Sequence, residues 1–232
     1  MSEPFVPFAL FAHPFFARLD AVGWTVLTVL VSLFLATVAI IGARLWLAAR
    51  ERPLVCAFRA AFAQVDSHPA LSALAAARGA TRHPYGRLAR AALEAWRTAS
   101  HRGTLHRSEW LYRALQTQLE REVAEREWGL TLLATAANTA PYIGLFGTVW
   151  SIYHALSAIA LSGEASLAAV AGPVGEALIM TAVGLAVAIP AAIAHNLFGR
   201  ANRLVIPELE AFAHACYLLL AAEDEEPAAA TP

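Results

Sequence analysis

The chain has 232 residues, of which 58% are hydrophobic and only 15% charged, against about 25% charged in an ordinary soluble domain. Its formal net charge of −1 provides no global field for nucleic acid, and no nucleic-acid-binding fingerprint occurs. Cys56 and Cys216 stand far apart with no CxxC or Cys/His spacing, which argues against a disulfide framework or a zinc site.

The first twenty residues are crowded with phenylalanine and broken by Pro4, Pro7 and Pro14. Phe5, Phe8, Phe11 and Phe15 can share one face of a short helix, so residues 1–20 read as a periplasmic segment lying in the membrane interface, with His13 interfacial rather than a ligand. Residues 21–43 form a charge-free run between Asp20 and Arg44. That run meets the length of about 20 residues needed for a transmembrane helix and is too long for a signal-peptide core. Residues 44–127 follow as a cytoplasmic helical loop. A helical pattern runs through Ala63, and Ser67 or Asp66 can cap the next helix, which stops at Gly79. Another starts after His83–Pro84 and breaks near Gly103. The last runs from Leu105 to Trp128, with Glu122 and Arg126 at the spacing of a surface ion pair. No breaker separates it from the next apolar run, so the spacing predicts one continuous rod into the membrane. Residues 128–160 and 169–198 are the second and third transmembrane helices, joined by a short periplasmic turn at 161–168. A cytoplasmic tail, 199–232, completes the chain, and from Glu223 its acidic and then Ala/Pro-rich composition predicts disorder.

Arginine placement orients the chain, there being no lysine. Fourteen arginines lie between the first and second runs, among them Arg44, Arg50, Arg52, Arg121 and Arg126 near the membrane ends, and none lies in the turn at 161–168. This puts the N-terminus outside and the C-terminus inside. The fold class expected is an all-α membrane protein, three transmembrane helices with long cytoplasmic helical extensions.

The membrane runs carry the chemistry. Gly144, Gly147 and Ser151 in the second, and Gly172, Gly175 and Gly184 in the third, are small surfaces on which helices approach closely. Pro141 removes a backbone donor and bends the helix or frees a carbonyl, and Pro190 bends the third. Thr148 and Thr181 are polar within the spans. Glu176 is a lone carboxylate, 12 residues past Glu164 and so about 18 Å along a helix. Thr181 lies about 140° from it around the axis. A charged group in hydrocarbon costs a few kcal/mol or more. Two readings are open for Glu176: an ion path, in which a group that can be neutral or charged relays protons, or a neutral acid that bonds one helix to another. No nucleophile–base set, phosphate loop or metal-ligand cluster occurs, and His154, His195 and His214 are scattered. An enzyme, a metal site and a cofactor are therefore not expected.

The phrases APYIGLFGTVW (140–150) and GPVGEALIMTAVGLAVAIPA (172–191) resemble the signature of the ExbB/TolQ/MotA family of proton-channel proteins. The likeness is strong over residues 128–200 and looser over the three-span layout. MotA-type members usually have four spans, and the wording leans to the ExbB branch over TolQ. The resemblance implies a bacterial inner-membrane homo-oligomer, a pentamer, enclosing a dimer of an ExbD-like partner whose aspartate meets the proton path. Proton flow there would drive a TonB-like transducer and power outer-membrane uptake. It also implies that Thr148 and Thr181 line the channel, that Glu176 is the family's intramembrane acid, and that Pro141 and Pro190 shape the helices. The alternatives are a TolQ role in outer-membrane integrity and a passive membrane scaffold.

Overall fold

A computed structural model describes residues 20–99, 104–162 and 167–225. The aromatic N-terminal segment, the centre of the 161–168 turn and the last residues of the tail lie outside these, as does the expected break near Gly103. Six α-helices occur among the described residues: α1 Ala21–Phe62, α2 His68–Ala76, α3 Pro84–Thr98, α4 Thr104–Glu127, α5 Leu130–Ser162 and α6 Leu167–Glu225, with a 3-10 turn at Ala80–Arg82. Three of the helices are long and apolar enough to cross a membrane, and none of the described residues is in a strand. The chain is an all-α membrane protein. At 42 and 59 residues, α1 and α6 far exceed the span a bilayer requires. α6 continues unbroken through the stretch expected to be tail, as far as Glu225.

The helices divide into two compact units, one built from residues up to Ile41 with Gly129–Leu197, the other from Gly42–Trp128 with Phe198 onward. In the first, apolar residues point in every direction. Val26, Leu27, Leu30, Ala140, Met180, Val187 and Ala188 form its small core, while Phe34, Leu35, Val38, Leu145, Phe146, Ile189 and Ile193 are exposed. A helix that is apolar all round is one whose outer surface meets hydrocarbon rather than water. Many of its hydroxyls are satisfied locally, as that solvent requires, although the buried Thr37 Oγ1 finds no partner among the described residues. Thr25, Thr28, Ser32, Thr135, Thr139 and Ser151 each donate to the carbonyl four residues back, at 2.7–3.0 Å.

The second unit is an ordinary amphipathic bundle. Phe58, Leu71, Tyr85, Leu88, Trp96, Leu111, Leu115, Phe212 and Leu220 are buried together, with edge-to-face rings at Phe58–Phe212 (6.0 Å) and Tyr85–Phe212 (5.2 Å). Two sequence expectations fail here. Glu122 makes no surface pair with Arg126. It is 1% exposed and accepts from Arg87 Nε at 2.7 Å, from a second Arg87 nitrogen and from Gln118 at 2.6 Å, while Arg126 approaches Glu51 at 3.8 Å. The i,i+4 rule describes an isolated helix, whereas α3 supplies a fork that matches both carboxylate oxygens. The continuous rod also fails. The helix ends at Glu127 and restarts at Leu130, because Gly129 takes φ 79°, a left-handed conformation that only glycine adopts freely.

His83 caps α3. Its Nδ1 accepts from the Gly86 amide at 3.2 Å, and the ring lies edge-on to Phe58, centroids 4.8 Å apart. Burial lowers its pKa below the usual histidine value, Arg87 lowers it further, and Glu122 partly opposes. The folded state thus prefers neutral His83, and a protonated ring could neither accept from Gly86 nor sit comfortably at a helix N-terminus. The stability it contributes is present above the ordinary value of about 6.5 and is lost as pH falls below it. Thermal melts of the detergent-solubilised protein should therefore drop between pH 7.5 and pH 5.5, and His83→Asn, a cap that does not titrate, should drop less. Equal drops would remove His83 as the cause.

Candidate functional site

The geometry of the membrane unit is set where α5 and α6 cross in antiparallel fashion. A Cβ on Gly144 would stand 2.7 Å from the Met180 carbonyl oxygen and 3.3 Å from the Cα atoms of Thr181 and Gly184. One on Gly184 would stand 2.7 Å from the Ala140 oxygen and 3.2 Å from Gly144 Cα. Backbone therefore touches backbone, the approach that small residues permit in membranes. Gly147 brings in the third helix, its Cβ position lying 3.1 Å from Val26 and 3.3 Å from Met180. Gly175, by contrast, meets nothing within 4 Å and is exposed in the single chain.

This register fixes the depth of the polar residues. One turn from Gly144 towards Ser162 is one turn back along α6, so Thr148 is level with the stretch from Ala177 to Thr181. Glu176 follows just beyond, and Glu176 and Thr181 are separated by only about 8 Å of helix axis. Thr148 is buried and donates to the Leu145 carbonyl at 2.6 Å. Glu176 and Thr181 are both half-buried. Pro141 lies within α5 and Pro190 within α6, each half-buried. The crossing thus places a carboxyl and two hydroxyls within a few turns of one another along an otherwise apolar unit, Glu176 and Thr181 about 140° apart around α6. A carboxyl can hold or release a proton, and neighbouring hydroxyls can pass one on.

Two contacts in this unit were not foreseen. Asp20 Oδ1 accepts from the Gly23 amide at 2.7 Å, capping α1, and Oδ2 accepts from Trp150 Nε1 at 2.5 Å, tying α1 to α5. Burial works to raise the Asp20 pKa, but the bonds from Trp150 and Gly23 and the nearby His154 outweigh it, and the carboxyl titrates below its ordinary range. An aspartate just before an apolar run is a capping signal, whereas its partner 130 residues away has no local signature. His195 Nδ1 lies 3.2 Å from the Leu130 carbonyl, joining the start of α5 to α6. Among the described residues no cluster of three or more His, Cys, Asp or Glu is arranged to hold a metal.

Comparison with known proteins matches this arrangement to one group. The family model described as "MotA/TolQ/ExbB proton channel family" matches residues 80–211, more than half of the chain. The biopolymer transport protein ExbB of Xanthomonas campestris pv. campestris (strain B100) is 56% identical over 111 residues, 48% of this chain and 44% of the relative. ExbB of Neisseria gonorrhoeae is 42% identical over 143 residues, 59% of this chain and 65% of the relative. The Tol-Pal system protein TolQ of Pseudomonas aeruginosa is 44% identical over 105 residues, 45% of this chain and 46% of the relative. The chain thus spans less than two thirds of the length of each of these relatives. With the family model covering the Gly144–Gly184 crossing and the three polar residues beside it, the chain belongs to the MotA/TolQ/ExbB proton channel family.

Proposed function

We propose that this chain is the proton-channel subunit of a bacterial inner-membrane complex. With an ExbD-like partner it converts proton motive force into mechanical work on a TonB-like transducer for outer-membrane transport. Five copies form the ring, and a dimer of the partner occupies its centre. The N-terminus is periplasmic and the C-terminus cytoplasmic, a reading the arginine distribution supports. The observation that carries this reading is the placement of Thr148, Glu176 and Thr181 within a few turns of the glycine crossing in an otherwise apolar unit. Thr148 and Thr181 line the path beside the partner's aspartate, and Glu176 is the intramembrane acid. Pro141, Gly144, Gly147, Gly175 and Pro190 set the shape and packing of the two helices. The ExbB matches, being longer and in one case more identical than the TolQ match, support the transport role over the Tol-Pal role.

The test is uptake through a TonB-dependent receptor in cells carrying Glu176→Gln or Thr181→Val at normal protein level. Each should lower uptake by about tenfold or more, the effect of raising a barrier by about 1.4 kcal/mol. Wild-type uptake in Glu176→Gln, which keeps a hydrogen bond but cannot ionise, would favour the scaffold reading. The match to TolQ keeps a second role open. Deletion cells that leak periplasmic contents yet take up iron chelates normally would assign the chain to outer-membrane integrity.

A further inference from the structure

One face of α5 changes its chemistry halfway along. Thr131, Thr135, Asn138 and Tyr142 follow at intervals of four, three and four residues, so they fall within about 60° of one line down the helix. All four are exposed in the single chain. Beyond Tyr142 the same line continues with Leu145, Val149 and Leu156, exposed and apolar, and with Tyr153, exposed and carrying a hydroxyl. The half of the face next to Leu130 is therefore polar, and the half nearer Ser162 is apolar apart from Tyr153.

The polar half is not suited to lipid. Thr135 and Thr139 donate to the carbonyls of Thr131 and Thr135 at 2.8 and 2.7 Å, which uses their hydrogens and leaves oxygen lone pairs facing outward. Asn138 has no such recourse. A primary amide brings two donors and a carbonyl, and among the described residues no hydrogen bond reaches its side chain. It stands about 12 Å along the axis from Leu130, well inside a hydrocarbon layer of about 30 Å. An unpaired amide there costs several kcal/mol. This surface must be met by something polar.

We propose that the Thr131–Thr135–Asn138–Tyr142 face borders a water-filled passage, a continuation of the proton route from the level of Thr148, Glu176 and Thr181 towards the Leu130 end of the span. The inference rests on the proton-channel reading above. Its occupant is water, and its transported species the hydrated proton. Water is favoured over a packed neighbouring helix because the face offers acceptors in excess. A helix in hydrocarbon has already used its backbone donors internally and could serve these acceptors only through polar side chains, whereas each water brings two O–H groups.

Two experiments on the full-length chain assembled with its partner test this. In a Cys56→Ala, Cys216→Ala background, Asn138→Cys and Thr135→Cys should react with a charged, water-soluble thiol reagent about tenfold or more faster than Val149→Cys, since the reactive thiolate forms only where water reaches. Equal rates at all three positions would overturn the proposal whether or not the complex conducts. In proteoliposomes with an imposed proton gradient, Asn138→Leu should cut proton flux by about tenfold or more with the ring intact by native mass, and Asn138→Ser should recover much of it. Wild-type flux in Asn138→Leu overturns this inference alone. Loss of the ring in Asn138→Leu makes the amide a bond between copies and overturns it too. A wild-type complex that conducts nothing overturns the channel reading, and this inference with it.

Discussion

Gly184→Val should sharply reduce the yield and thermal stability of the folded protein. The new Cβ would lie 2.7 Å from the Ala140 carbonyl oxygen and 3.2 Å from Gly144 Cα. Both obstacles are backbone, so no side chain can swing aside, and α5 and α6 must separate. Overpacking of this kind costs about 1–3 kcal/mol and sometimes more, and the two valine methyls place it at or beyond the top of that range. Gly144→Val should behave alike, its Cβ being 2.7 Å from the Met180 oxygen. Because the two glycines face each other, the double alanine variant should cost less than the sum of the singles, since the first substitution already parts the helices. Gly199→Ala, where a Cβ meets nothing within 4 Å, is the control and should gain about 0.5–1 kcal/mol from helix propensity. Melting temperatures in detergent measure all four. Gly184→Val melting with wild type would mean that the helices do not cross at this point.

Arg87→Ala should be the most damaging single change in the polar unit. It strips Glu122, 1% exposed, of both guanidinium bonds and leaves only Gln118. Removing one partner of a buried pair costs about 3–5 kcal/mol. The Arg87 side chain is 28% exposed and also touches Glu125 at 3.0 Å, so solvent softens the loss and the low end, about 3 kcal/mol, is expected. The decisive variant is the double replacement Arg87→Met with Glu122→Leu. It removes both charges together and should restore stability to near wild type. Arg87→Lys should recover only part, because an ammonium cannot make the forked contact. If the double variant is as unstable as Arg87→Ala, the cost lies in packing rather than in the stranded carboxylate.

The three spans were readable because hydrocarbon imposes a rule on every residue in a run, and the stretches between Asp20 and Arg44, between Glu127 and Glu164, and from Ala165 to Gly199 are charge-free but for Glu176. Glu176 was readable for the same reason, as the exception. The helix starts at His68 and Pro84 also followed from local chemistry, a polar residue and a proline at each. What could not be read were pairings across the fold. Gly144 and Gly184 are each visible as small residues, but that they face each other is fixed by the antiparallel register of two long helices. Glu122 was assigned Arg126, one turn on along its own helix, and the true partner lies 35 residues back on α3. Gly129 passed unnoticed because one glycine after a strongly helical stretch need not break it. Its φ of 79° records a conformation that no propensity scale reports.

Thr25, Thr28, Ser32, Thr135, Thr139 and Ser151 return their hydroxyl hydrogens to their own helices. A neighbour turning or sliding against such a surface has no bond to break at one azimuth and remake at the next. At these positions no hydroxyl hydrogen is shared with a neighbour, so relative motion there ruptures no bond that the span donates. Turned outward, the same hydroxyls would donate across an interface and hold a neighbour at fixed positions; turned inward, they do not.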